Sequence, residues 1–227
     1  MADRTMAFRF EKLPGWTYKA GQAVDITLLN PPETDSEGNT RTFSIASAAH
    51  EESLMVATRM RDTAFKRVLE KAPLGTSVKI EGPFGNLTLH NNAARAAVLL
   101  AGGIGITPFR CIVFRAAHEK LPHRIFLFYS NRRPEDAPFL EELRALEKEN
   151  TNYKLIPTMT DIEKSQGGWR GEKGRINKEM LARYLKDLES PIYYIAGPPG
   201  MVKGLHTMLN DARIDDDDIR TEEFPGY

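Results

Sequence analysis

Ala97-Val98-Leu99-Leu100-Ala101-Gly102-Gly103-Ile104-Gly105-Ile106-Thr107-Pro108 is the stretch on which the fold turns. A short, uninterrupted apolar run reads as a strand buried on both faces, and it leads directly into a glycine-rich turn and a helix opened by Pro108. The same grammar recurs downstream. Apolar runs at Ile125 to Tyr129, Tyr153 to Thr158, Ile192 to Ala196 and Ile219 to Phe224 alternate with helical stretches. The helices are expected at Pro108 to Glu119, Ala137 to Asn150, Lys178 to Leu188, capped by Asn177, and Met201 to Ala212. Such alternation predicts a parallel sheet with right-handed crossovers, five strands in all. A second glycine turn, Gly197-Pro198-Pro199-Gly200-Met201, follows the fourth of these strands. With the strand order 3-2-1-4-5, the two turns flank the switch point at which open α/β sheets bind ligands. Glycine lets the backbone approach a phosphate, and the amides of the next helix receive it. Either turn alone reads equally well as a tight strand-to-helix connection, and the order GGxGxTP is not the common GxGxxG fingerprint.

Upstream the rhythm differs. Short strands are expected at Ala7 to Glu11, Ala23 to Leu29, Thr42 to Ala46, Leu54 to Arg59, Ser77 to Glu81 and Leu87 to His90, with one helix at Ala64 to Glu70. This pattern suggests a small antiparallel barrel, joined through the polar Asn91 to Arg95 to the second half. The expected domains are therefore 1–93 and 94–227. Across 227 residues, 31 basic and 31 acidic side chains cancel, so no global field recruits nucleic acid or an anionic membrane. The single cysteine, Cys111, excludes a disulfide framework or an iron-sulfur cluster within this polypeptide and reads as a small core residue. The histidines, His50, His90, His118, His123 and His206, show no metal-ligand spacing, so no metal is expected. MADRTMAFRF offers no signal-peptide core and no run is long enough to span a bilayer, so a cytoplasmic protein without membrane insertion is expected. Asp215 to Asp218 reads as a solvated cap, Trp16 as packing, and Trp169, in the Gln166 to Gly174 loop, as packing or a partner contact.

Five motifs in order, Ala20-Gly21-Gln22 with RTFSIAS (41–47), EGPFG (81–85), GGIGITP (102–108), AGPPGM (196–201) and the terminal Glu222-Glu223-Phe224, make the chain resemble the ferredoxin-NADP reductase superfamily. The resemblance implies an antiparallel Greek-key flavin barrel followed by a parallel Rossmann-like nucleotide domain. It implies hydride transfer from NAD(P)H to FAD and electron release to a redox protein or oxygenase component. The alternative is a non-catalytic electron-transfer or regulatory subunit that keeps the flavin fold. By the resemblance, Arg41 binds the flavin pyrophosphate, Phe43 packs on the ring in place of the usual tyrosine, and Ser44 reaches its reactive nitrogen, with Thr42 and Gly82 in the same site. Thr58, Arg59 and Met60 hold the ring system, and Thr63 with the amides of Ala64 and Phe65 holds phosphate. Arg59, Arg61 and Lys66 could equally be solvated charges. Gly103, Gly105, Thr107, Gly197, Pro198 and Met201 hold the nicotinamide side. Phe224 covers the other flavin face, and Glu222 contacts nicotinamide or relays a proton. Ser130 and Arg132, after the second parallel strand, match the loop that grips a 2′-phosphate, so NADPH is preferred, with Arg133 assisting or facing water. Ala196 stands where relatives commonly carry cysteine. Only six residues precede Ala7, where relatives run a further strand. The barrel is thus expected to be one strand short, its open edge shielded by a partner or a loop such as Pro31 to Thr40, or else filled by Ala2 to Met6 as a stub of the missing strand.

Overall fold

The computed structural model describes residues 1–165 and 167–225. Its first half holds strands β1 (Thr5–Phe10), β2 (Ala23–Leu28), β3 (Thr40–Ser44) and β4 (Leu54–Arg59), helix α1 (Ala64–Lys71) and strand β5 (Val78–Phe84). β1 pairs antiparallel with β4, and β3-β2-β5 form a three-stranded antiparallel sheet. A bridge between Ile45 and Val56 joins the two sheets. Alternate residues point inward, so that Val24, Ile26, Phe43, Ile45, Leu54 and Val56 share one core with Phe65 of α1. At Gly82 the backbone takes φ +134°, and a Cβ there would press on β2 at 3.2 Å from the Ala23 carbonyl.

Two expectations are corrected here. Leu87 to His90 forms no strand, because its polar groups and its one core residue are committed to the second half. Leu87 is buried in that half's core, the Thr88 carbonyl accepts from Arg220 at 2.6 Å, and the His90 amide donates to Tyr194 Oη at 2.9 Å. The Pro31 to Thr40 segment shields no strand edge. Only Thr40 enters a strand, and the loop's acidic side chains dock on α1 and Arg41 instead. Among the described residues β1 ladders only with β4.

The second half runs β6 (Ala97–Gly102), α2 (Ile106–His118), β7 (Ile125–Asn131), α3 (Leu140–Leu146), β8 (Tyr153–Met159), β9 (Glu172–Lys173), α4 (Lys178–Leu185), β10 (Ile192–Gly197), α5 (Pro199–Asp211) and β11 (Ile219–Glu223). These strands form one parallel sheet in the order β11-β10-β6-β7-β8-β9. The five expected strands stand in the expected order, and the two-residue β9 is an addition at the edge. It is held there because Gly174 exchanges bonds with β8: its amide donates to the Met159 carbonyl and its carbonyl accepts from Thr158 Oγ1. Side-chain alternation along β6 sends Leu99 toward α2 and α3, and Val98 and Leu100 toward α4 and α5. The expected helix Ala137 to Asn150 is shorter at both ends. Phe139 adopts a left-handed φ of +63° at its start, and residues after Leu146 turn.

Arg110 of α2, 3% exposed, ties the halves together. It donates to the Ala46 carbonyl and Glu51 of the barrel, each at 2.8 Å, and to Glu142 of α3 at 2.9 Å.

Candidate active site

The two glycine turns meet at the carboxyl ends of β6 and β10, where the sheet order reverses. A Cβ on Gly105 would collide with the Ala196 carbonyl, and one on Gly102 with Met201 and Pro198. Glycine is required at Gly105, where the clash is with backbone, whereas a side chain at Gly102 would displace the Met201 thioether. Gly103 takes φ +51° in the turn that opens α2, and Gly197 lies directly against the backbone of Gly102. Thr107 is buried, its hydroxyl bonded back to the Ile104 carbonyl at 3.1 Å. Ala196 is buried and pairs with Glu222 across the ladder.

Across the crevice from these turns lies the end of β3. Ser44 Oγ donates to Glu222 Oε1 at 2.6 Å, a contact between residues 178 positions apart. Burial raises the Glu222 carboxyl above its ordinary 4.5, against the lowering effect of that hydrogen bond. A carboxyl raised in this way beside a hydroxyl is suited to hold or pass a proton. Phe224 follows two residues later, its amide anchored to the Gly197 carbonyl at 2.9 Å and its ring against the core. Phe43 is 8% exposed and packs with Phe65 at 5.9 Å between ring centroids, so this ring belongs chiefly to the barrel core. Thr42 faces outward and donates to Asp25.

A second cluster surrounds the start of α1. Thr63 caps the helix, accepting from the Lys66 amide at 3.4 Å, while Ala64 and Phe65 are buried. Asp35 Oδ2 accepts from the Ala64 amide at 2.8 Å, and its other oxygen takes Arg41 at 3.4 Å. Arg41 also donates to Glu37 at 2.8 Å and lies over the Phe65 ring. Lys66 is not a solvated charge: it donates to the Arg59 carbonyl at 2.6 Å, and burial, reinforced by Arg61 and Arg41, pushes its ammonium down to about 8. Guanidinium and helix amide thus form an anion cradle, and the Asp35 carboxylate already sits in it. Of the neighbouring residues, Thr58 is buried, Met60 donates its amide to the Arg4 carbonyl, and Arg59 reaches the carbonyls of Asp3 and Asp136 at 2.7 Å. Arg59 is therefore a strut between the halves rather than a free cation.

A third feature opens at the end of β7, a cavity of about 570 Å³ lined by Ser130, Thr160, Arg175, Asn177, Gly200 and Met201 among others. Arg132 is exposed beside it, and Arg133 is engaged with Asp136 at 2.8 Å and Asp3 at 3.2 Å. Residues 99–207 match the family model described as the oxidoreductase NAD-binding domain. The parallel half thus carries an oxidoreductase NAD-binding domain. One subunit of the Na(+)-translocating NADH-quinone reductase of Pseudoalteromonas atlantica is 31% identical over 156 residues, 67% of this chain and 38% of that relative. The chain thus spans well under half the length of the curated relative it matches. The flavohem-like FAD/NAD binding domain of nitric oxide dioxygenase from Vibrio cholerae superposes with a TM-score of 0.83 at 18% identity, over 98% of this chain and 93% of that one. A ferredoxin NADP+ reductase from Neisseria gonorrhoeae with bound FAD and NADP gives 0.75 at 20% identity, over 97% and 92%. At such identities the likeness is one of fold.

Three residues of the site escape a sequence reading. Arg175 precedes a helix cap and gives no local signal; only the return of the chain past β8 brings it opposite Ser130. Asp35 lies in a loop whose charge pattern looks merely solvated. Arg110 sits among apolar helix residues, where a cation signals a buried ion pair but not its partners. Among the described residues no helix is long and apolar enough to cross a membrane. Cys111 is buried, donates to the Ser47 carbonyl, and burial pushes its thiol up to about 12, so it is no nucleophile.

Proposed function

We propose that this chain is an FAD-containing NAD(P)H reductase that passes electrons to a separate acceptor, a redox protein or an oxygenase component. The observation that carries the reading is the Ser44–Glu222 contact, which joins the barrel to the carboxyl end of the parallel sheet at the crevice where both cofactors would meet. The residues fit the flavin's diphosphate, since Arg41 and the Ala64 amide already hold an anion and the Lys66 ammonium stands near enough to Arg41 to feel its charge. FAD, when bound, accepts hydride from nicotinamide and releases electrons onward. The chain's own residues do the positioning. Ser44 and Glu222 orient the reacting faces, with the Glu222 oxygen that Ser44 does not contact free to take up a proton, Phe224 screens the crevice from water, and the paired glycine turns bring the buried Gly103 to Gly105 to the carboxyl end of the sheet.

NADPH is the preferred donor in this reading: Ser130 and Arg175 line the cavity, and the exposed Arg132 follows Ser130 by two residues. A lost charged contact to phosphate is worth about 1.5–3 kcal/mol. Arg132→Ala should therefore raise the KM for NADPH by roughly tenfold or more while leaving that for NADH nearly unchanged, and equal effects would remove the assignment. Stopped-flow reduction tests the core claim: Ser44→Ala should keep FAD and slow its reduction at least about tenfold, whereas an unchanged rate contradicts it. A second reading, an electron-input or regulatory component of a larger assembly, is favoured by one observation: the NADH-quinone reductase relative, of which this chain covers 38%, is itself named as one subunit of such an assembly.

A further inference from the structure

The loop between β2 and β3 places a carboxylate where the cradle around α1 takes its anion. Asp35 Oδ2 accepts the Ala64 amide at 2.8 Å, while Oδ1 takes Arg41 at 3.4 Å and the Glu37 amide at 3.0 Å. Glu37 adds a second contact to Arg41 at 2.8 Å, and three loop carbonyls, those of Glu37, Gly38 and Thr40, accept from the same guanidinium. On the outer side Glu33 grips Arg67 of α1 through both oxygens, at 3.1 and 2.7 Å. From residue 31 to residue 40 no side chain is buried, and the loop is held through its carboxylates and carbonyls by the cations of Arg41 and Arg67. Its hinge is fixed at Asn39, which exchanges backbone and side-chain bonds with Leu28 at 2.9 Å.

We propose that the Pro31–Thr40 loop is a tethered anion that plugs the phosphate cradle, so that Asp35 and an incoming diphosphate compete for Arg41 and the Ala64 amide. The inference rests on the flavin reading and adds to it a competitor built into the chain. A diphosphate matches the two charges that Asp35 and Glu37 bring to Arg41, and the half-buried Lys66, on which the charge of Glu37 already acts, stands close by. Flavin uptake should accordingly expose the loop, and flavin loss should let it fall back.

The test compares wild-type protein with Asp35→Asn, using FAD, riboflavin and inorganic pyrophosphate as probes, with binding followed by flavin fluorescence and, for pyrophosphate, by calorimetry. The plug predicts that Asp35→Asn binds FAD and pyrophosphate at least about tenfold more tightly while riboflavin, lacking phosphate, binds both chains alike. If Asp35 instead organises Arg41 for the ligand, the variant binds FAD more weakly, and the proposal is overturned. Equal FAD and pyrophosphate affinities in the two chains overturn it as well while leaving the flavin reading intact. Pyrophosphate binding that tightens in the variant, with no FAD uptake by either chain, keeps the plug and sinks the flavin reading. Should the variant fail to fold, limited proteolysis of the wild type decides: faster cleavage within residues 31–40 on adding pyrophosphate supports displacement, and unchanged or slower cleavage refutes it.

Discussion

Glu222 is the residue at which chemistry and stability meet. Burial raises its carboxyl, so the folded state resists ionising a group that the unfolded chain ionises freely above 4.5. A raised carboxylate costs stability as pH climbs through that range and costs nothing where both states stay protonated. Glu222→Gln should therefore match wild type in melting temperature at low pH and overtake it progressively toward neutrality; a difference that does not grow with pH would show that Glu222 ionises normally. The two partners of this contact were legible as separate motif residues, but that they touch was not, because 178 residues separate them and only the docking of β3 onto β11 closes the distance. Phe43 marks the opposite limit. Its place in the RTFS motif is plain in the sequence, whereas its burial against Phe65 depends on which way the barrel strand faces.

Elements read well where periodicity and caps agree. Asn177 accepts the Met180 amide at 2.8 Å and starts α4 where the sequence places it. Asn177→Ala should cost about 1 kcal/mol, or roughly 2–4 °C in a domain of this size, checked by thermal unfolding. Gly105→Ala tests the turn packing instead. Its Cβ would strike the Ala196 carbonyl, so a loss of about 1–3 kcal/mol or more is expected, and a neutral outcome would mean that the turns have room to separate. Reading fails where one residue's conformation overrides a periodic pattern. α3 begins late because Phe139 is left-handed, and Leu87 to His90 forms no strand because its hydrogen bonds go to Tyr194 and Arg220 rather than to a neighbour in the barrel.

At the scale of the whole molecule, the barrel and the parallel sheet are joined by Arg110, together with Arg59 and the Ser44–Glu222 contact. Burial works to raise Glu51, but the hydrogen bond from Arg110, the Ala48 amide and the guanidinium's charge overcome it and hold the carboxyl below 4.5. This contribution is complete above 4.5 and is lost as pH falls through the lowered folded value, so Arg110→Met should narrow the difference between neutral and acid stability. Leaving Glu51 and Glu142 without their partner should cost about 3–5 kcal/mol at neutral pH, roughly 6–20 °C in melting temperature. The two-part architecture and the strand order were readable from alternation and glycine turns, whereas the buried ion pair that locks the parts together needed coordinates. The central claim, that this joined crevice brings a flavin within reach of a nicotinamide, meets its most direct test in an anaerobic titration of the FAD-loaded chain with NADPH. The account predicts stoichiometric bleaching of the oxidised flavin absorbance; an FAD that stays yellow with both NADPH and NADH would contradict it.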